Sequence, residues 1–342
     1  MAGAAAASPL RILVTGGAGF VGSHVALALM RRGDQVTVLD DLSQGHRAAV
    51  PPGAGLAVIH LGDTDAVNRL LAEQGPWHAV MHFAALSLVG ESMTDPCRYL
   101  LANAGQGIAL IEACLRHGVR RFVLSSTANL YGDPDQVPIP ETAPVRPSSP
   151  YGESKWMLER ALAWAARAHG LRYASLRYFN AAGCDPDGAL GEDHDPETHL
   201  IPLAIDAALG RRPPLTVFGQ DYPTPDGTAV RDYVHVADLA SAHLLALERL
   251  DQGDVIYNLG NGTGHSVLDV VRAVERVSGR PVPLRVGARR AGDPAVLVAS
   301  AALIRDELGW TPRIPDLGEI ARTAYEWRLN HPNGYGDRTS GR

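Results

Sequence analysis

Through the first half of the chain, short apolar runs alternate with stretches that carry a helical period. Runs at 11–15, 35–39, 56–60, 79–83, 121–125 and 172–178 are nearly continuous in apolar, β-branched and aromatic residues, which predicts strands. Between them, 21–32, 64–74, 99–117 and 151–169 read as helices. Strands that are apolar on both faces and separated by helices imply a parallel sheet covered on both sides, an α/β doubly wound architecture. A polar, proline-rich loop over 132–150 delivers the chain to the helix that begins at Tyr151.

After Asn180 the texture changes. Residues 181–199 are rich in Gly, Asp, Glu and Pro without clear periodicity, so they read as loop. A helix over 201–209, a strand at 215–218, a turn region to Gly227, a helix over 237–250 and a strand at 255–259 follow. Ser266-x-x-Asp269 resembles a capping box, with Asp for Glu or Gln, ahead of a helix through Val277. This predicts a larger domain over 1–180 and a smaller C-terminal α/β domain over 181–342. The stretch 237–259 is expected to pack back on the first.

Composition narrows the class. A chain of 342 residues with 46% hydrophobic and 20% charged residues can bury a substantial core. A net charge of −6 with no basic block gives no electrostatic reason to expect nucleic acid. Cys97, Cys114 and Cys184 are widely spaced, which suits a reducing cytoplasm better than a disulfide framework. Met1 to Ser8 is Ala-rich, without the basic start and long apolar run of a signal peptide, and reads as a frayed tail. Nothing reaches the ~20 apolar residues of a membrane span.

The junction of the first strand and helix carries candidate chemistry. Gly16-x-x-Gly19-x-x-Gly22 supplies a tight turn, backbone approach to a pyrophosphate, and close packing of helix on strand. The helix N-terminus, at Phe20 and Val21, adds unpaired N–H groups and a favourable dipole. Asp40 ends the second strand 18 residues after Gly22, the separation expected of a carboxylate that binds an adenosine ribose. Such a carboxylate repels a 2′-phosphate, so the expected cofactor is NAD rather than NADP in a Rossmann-type domain. Tyr151 and Lys155 stand four apart, which places both on one helical face. An ammonium beside a phenol favours the phenolate, making Tyr151 a candidate base for a hydroxyl proton.

With the glycine loop, Asp63 after the third strand and Tyr151-x-x-x-Lys155, the chain resembles the extended short-chain dehydrogenase/reductase superfamily. Further segments narrow the resemblance: His82-Phe-Ala-Ala85, Leu124-Ser-Ser-Thr-Ala-Asn-Leu-Tyr-Gly132, Leu176-Arg-Tyr-Phe-Asn180, Val230-Arg-Asp-Tyr-Val-His235 and Arg289-Arg-Ala-Gly-Asp293. Together these look like the UDP-glucose 4-epimerase family, over nearly the whole chain. The resemblance implies an isomerase that interconverts UDP-galactose and UDP-glucose through a transient 4-keto sugar, with NAD held through turnover. It implies Tyr151 as base, Lys155 as its tuner and ribose contact, and Thr127 as the hydroxyl partner of the sugar oxygen. Asp63 would contact adenine, with Ala84, Asn103 and Tyr178 along the cofactor. Phe179, Asn180, His199, Leu200 and Tyr233 would border the substrate. Arg231 and Arg290 would grip its diphosphate and Asp293 its ribose. The resemblance also implies a homodimer packed through the helices near 99–117 and 151–169.

Three positions depart from the family pattern. Ser87 stands where some members have a cofactor-contacting Lys, and Thr198-His199 replaces an Asn pair. Leu297 falls at the gate where Tyr excludes N-acetylated sugars and a smaller residue admits them. Leu is intermediate, so UDP-N-acetylhexosamines and UDP-xylose stay open as substrates. Ala128-Asn129 occupies the place where a 4,6-dehydratase has its acid and base, and neither titrates. A non-catalytic NAD-binding protein would lack Tyr151, Lys155 or Thr127, and all three are present. No H-E-x-x-H, paired Cys/His or carboxylate cluster suggests a metal, so none is expected, and Asp193-His194-Asp195 reads as a solvated loop. His82 and His235, in apolar runs, read as structural.

Overall fold

The computed structural model describes residues 8–289 and 294–337; the N-terminal tail before Ser8, Arg290 and Asp293 lie outside the described residues. The strands of the first half are β1 (Arg11–Thr15), β2 (Gln35–Asp40), β3 (Gly55–Val58), β4 (Ala79–His82), β5 (Arg121–Thr127) and β6 (Arg172–Tyr178). Those that follow are β7 (Asn180–Ala182), β8 (Leu215–Phe218), β9 (Val230–His235), β10 (Val255–Leu259), β11 (Gly264–Ser266), β12 (Leu284–Gly287) and β13 (Val296–Leu297). Seven of them form one parallel sheet in the order β10-β6-β5-β4-β1-β2-β3. β10 closes one edge of this sheet beside β6, and helix Val236–Arg249 packs on helix Phe20–Arg32.

Side-chain alternation splits the core into two layers. Ile12 and Val14 of β1 join Val36, Val38, Val25, Leu29, Leu239 and Leu247 on one face. Leu13 joins Leu39, Val80, Leu110, Ile111, Leu158 and Leu162 on the other. The period-2 pleat sends neighbours of one strand to opposite sides, which is why these strands are apolar throughout. β1 lies between β2 and β4, so chain direction across the sheet reverses there and leaves a crevice at the strands' carboxyl ends.

A third apolar cluster lies under helices Leu200–Ala208, Val267–Ser278 and Leu317–Asn330, through Ile201, Ile205, Val270, Val274, Ile320 and Trp327. Here β9 pairs with β7 in parallel, with β11 antiparallel and with β13 in parallel. The capping box forms as its spacing predicts: Ser266 Oγ accepts from Asp269 N at 3.0 Å, and Asp269 Oδ2 accepts from Ser266 N at 2.9 Å.

Several boundaries differ from those read in the pattern. The helix expected at 99–117 begins at Pro96, because Asp95 caps it and Pro96 occupies its first position. It runs through a π-helical stretch, Leu100–Gly105, into Gln106–Arg116. Helices Val89–Thr94, Ala302–Leu308 and Leu317–Asn330, and strands β9, β11, β12 and β13, have no clear signal in the pattern. β9 buries Asp232 and His235, charged or polar residues that hide its strand character. Among the described residues, no helix is long and apolar enough to cross a membrane.

Candidate active site

The carboxyl end of β1 turns at Gly16, where φ is +69° and a Cβ would stand 2.4 Å from Ala84 N. A Cβ on Gly22 would meet Gly16 O at 2.2 Å, so glycine there lets the helix press on its own turn. Gly19 is different. A Cβ at this position would meet only Gly16 O, at 3.4 Å, so packing within the protein does not demand glycine. Gly19 is the N-cap of helix Phe20–Arg32 and offers no side chain to its first turn. The helix start at Phe20, Val21 and Gly22 is therefore open to an anionic group, as a dinucleotide pyrophosphate requires. Asp40 is buried at the end of β2 and accepts from Ala18 N at 3.0 Å and Leu42 N at 2.9 Å. Burial raises its pKa, and the two backbone N–H groups oppose the rise. Each carboxylate oxygen keeps a lone pair for a ribose hydroxyl. The residues present thus fit a dinucleotide.

Tyr151 lies in the first turn of helix Pro150–His169, which Ser149 caps through Gly152 N at 3.1 Å. Gly152 brings that turn onto the segment after β5, since a Cβ would stand 2.7 Å from Asn129 O. The contact sets Tyr151 against Thr127, the last residue of β5. Burial raises the Tyr151 pKa, the nearby Tyr178 adds to the rise, and a hydrogen bond with Thr127 opposes it. Thr127 Oγ1 accepts from Asn129 N at 3.2 Å and Asn129 Nδ2 at 3.1 Å. With both acceptor sites occupied, its hydroxyl proton is directed outward as a donor. Lys155 is fully buried and gives one of its three N–H bonds to Ser125 O at 2.9 Å. Burial lowers its pKa to about 8.

Tyr178 bonds Ser125 through the two hydroxyls at 2.7 Å, which ties it to the same strand end. Asn103, in the π-helical stretch, is buried and exchanges hydrogen bonds with the Leu86 backbone at 2.8 and 3.0 Å. Its amide also donates to Ser154 Oγ at 3.1 Å, so the side chain holds the loop after Ala84 rather than projecting from it. Asp63 caps helix Thr64–Glu73 through Ala66 N at 2.9 Å. Ser87 is exposed. His82 is buried with Nδ1 2.7 Å from Thr15 Oγ1, and burial and Lys155 lower its pKa to about 3, so it is neutral.

The second half supplies the far wall. Asn180 of β7 pairs with Tyr233 of β9, and Arg231 of β9 pairs with Leu297 of β13. Phe179 and Leu297 pack together on the apolar cluster of Ala128, Leu130, Tyr131 and Ile139, beside Thr127. Positions distant in sequence therefore lie against one apolar cluster. Asp232, on the opposite face of β9 from Arg231, accepts from Asn261 N, Gly262 N and Ala299 N at 2.8, 3.0 and 3.1 Å. It anchors the turn and the strand that carry Leu297. His199 and Leu200 stand at the start of helix Leu200–Ala208, and His199 Nδ1 contacts the Glu192 carboxylate.

Two features had no signal in the spacing. Asn129 fixes the direction of the Thr127 hydroxyl, as above. Beneath the site, buried Glu159 accepts from Ser126 Oγ at 2.6 Å and from Arg177 Nε at 3.0 Å. Arg177 reaches Tyr131 Oη at 2.8 Å, and Tyr131 donates to Asn258 Oδ1 at 2.8 Å. This network joins β5, β6, β10 and the helix of Tyr151.

Residues 12–260 match the model of the NAD dependent epimerase/dehydratase family. The chain is 51% identical over 329 residues to a UDP-glucose 4-epimerase of Streptomyces lividans, covering 96% of this chain and 99% of the relative. Among solved structures it is similar to UDP-glucose 4-epimerase from Brucella ovis in complex with NAD, with 46% identity, a TM-score of 0.89, and 93% and 98% of the two chains covered. It is also similar to UDP-glucose 4-epimerase from Bifidobacterium longum in complex with NAD+ and UDP, with 34% identity, a TM-score of 0.90, and 95% and 99% covered.

Proposed function

The chain belongs to the NAD dependent epimerase/dehydratase family, and from that membership we propose that Tyr151, Thr127 and Lys155 catalyse the interconversion of UDP-galactose and UDP-glucose. The carrying observation is the meeting of Tyr151 and Thr127 at the carboxyl edge of the sheet, above the buried Lys155. Bound NAD would supply the hydride acceptor and donor for C4 of the sugar, with no net redox change. Residues of the glycine loop would hold its pyrophosphate, Asp40 a ribose, and Lys155 the second ribose.

Tyr151 takes the proton of the sugar 4-hydroxyl as the C4–H bond breaks, and gives it back when the C4–H bond re-forms. In the protein alone burial keeps this phenol protonated. A drop in its pKa therefore has to come from positive charge, which Lys155 and, once bound, the cationic nicotinamide would supply. Thr127 donates to the same oxygen in both directions. Ala128 and Asn129 carry no titratable group, and Asn129 is committed to Thr127, which disfavours loss of water from the sugar.

We assign 1–180, with the return segment 237–259, to NAD binding and 181–342 to the UDP-sugar. Arg231, with Arg290 and Asp293 beyond the described residues, is assigned to the UDP moiety. Exposed Leu101, Met157 and Trp164 on the helices near 99–117 and 151–169 support a homodimer packed through them. The three free cysteines support a reducing, cytoplasmic setting, and the proposed substrates assign the enzyme to galactose metabolism. Purified protein should convert UDP-galactose to UDP-glucose without an added oxidant. A preparation that carries NAD and leaves UDP-galactose unchanged contradicts the assignment. A panel of UDP-galactose, UDP-N-acetylgalactosamine and UDP-xylose on one preparation ranks the sugars that pass Leu297.

A further inference from the structure

The loop between β7 and helix Leu200–Ala208 does not behave as a solvated segment. Glu192 is buried, and the ligand atoms of Glu192, His194, Glu197 and His199 all lie within 4.8 Å of one another. We propose that these four side chains form a closed binding site for one divalent ion of the zinc class. Their spacing, Glu-x-His-x-x-Glu-x-His, folds two nitrogen and two oxygen donors onto one point.

The distances around His194 carry the argument; His199 Nδ1, hydrogen-bonded to the Glu192 carboxylate, would separate from it on binding the ion. His194 Nδ1 lies 3.4 Å from Glu192 Oε1 and 3.6 Å from Glu197 Oε1. Metal–ligand bonds of about 2.0–2.2 Å make the edges of a tetrahedron roughly 3.3–3.6 Å long. Both carboxylates thus stand at ion-pair distance from one buried nitrogen, without a hydrogen bond of good geometry to either. A metal ion in place of the imidazole proton would sit among all three. Metal binding would displace the imidazole protons, after which two carboxylates balance a dication, and this mixed nitrogen and oxygen set suits zinc better than calcium or magnesium.

The surroundings orient the donors. Thr198 N and His199 N donate to Glu197 Oε1 at 2.8 and 2.9 Å. Arg328 donates to Glu192 O at 3.2 Å and lies 3.7 Å from Glu197 Oε2. The edge of the Phe20 ring meets His194 at a centroid distance of 6.1 Å. Because Phe20 opens the helix of the glycine loop, the metal would staple the substrate-side loop beside the cofactor-side turn. Four protein ligands leave no open position, so the role is structural.

The test uses untagged, NAD-loaded protein, stripped with a chelator and titrated with cobalt(II). The expected result is the visible spectrum of tetrahedral cobalt, saturating at one ion per chain, removed by zinc, with zinc also raising Tm. His194→Gln and Glu197→Gln, checked for native near-ultraviolet circular dichroism, should each weaken cobalt binding by at least about tenfold. Folded wild-type protein that gives neither the cobalt bands nor a zinc-dependent Tm overturns the proposal. Bands that persist at full affinity in both variants overturn it equally. These readouts do not depend on epimerase turnover, so they stand apart from the catalytic assignment.

Discussion

Thr127 illustrates how much a single hydroxyl depends on its neighbours. Asn129 occupies its acceptor sites, so its one proton is left to donate, and in the proposed reaction it would go to the sugar oxygen that Tyr151 serves. Thr127→Val keeps the shape and removes that donor. A hydrogen bond to a charged group contributes about 1.5–3 kcal/mol, so kcat should fall roughly 10- to 100-fold with KM nearly unchanged. Steady-state kinetics on UDP-galactose read the split between the two. The pair Tyr151 and Lys155 was legible because a helix brings residues four apart together. Asn129 was not, because nothing in a local pattern shows that one amide will saturate a hydroxyl two residues away. Asn103 was expected along the cofactor; its side chain is used on Leu86 and Ser154, partners brought near only by the fold.

The helix Pro150–His169 and the strands beneath it are braced by one buried ion pair. Glu159 and Arg177 are both almost fully buried and lie 2.5 Å apart, with Ser126 and Tyr131 completing their hydrogen bonds. Glu159→Ala leaves Arg177 charged and unpaired inside the protein. The expected loss is about 3–5 kcal/mol, read from urea unfolding, with Glu159→Leu combined with Arg177→Met recovering much of it. Strands β1 to β6 were legible since burial on both faces makes them apolar throughout. β9 was not, because it buries Asp232 against three backbone N–H groups, and a charged residue in a core strand breaks the pattern. The same holds for the loop over 191–199, whose acidic and polar composition concealed a buried Glu192.

Across the whole molecule, buried histidines set a pH limit. Burial lowers His24, His235 and His243 to about 4 and His82 to about 3. In the unfolded chain each titrates near ~6.5. Between these values the unfolded state binds more protons, so stability rises with pH and is lost as pH falls from about 6.5 toward 4. His243, buried between Phe83 and Tyr178, tests this most simply. In His243→Leu the proton uptake on unfolding at pH about 5.5 should drop by about one, measured from urea midpoints across pH. At the same scale, Leu101→Glu on the exposed helical face should shift the proposed dimer toward monomer in sedimentation; an unchanged dimer would exclude that face.

The proposed proton transfer rests on the Tyr151 oxygen. Tyr151→Phe removes that atom and leaves the pocket's shape. Turnover of UDP-galactose by NAD-loaded Tyr151→Phe should fall by at least about 10²-fold while UDP affinity is retained. Turnover close to that of the unaltered enzyme would show that another group carries the proton.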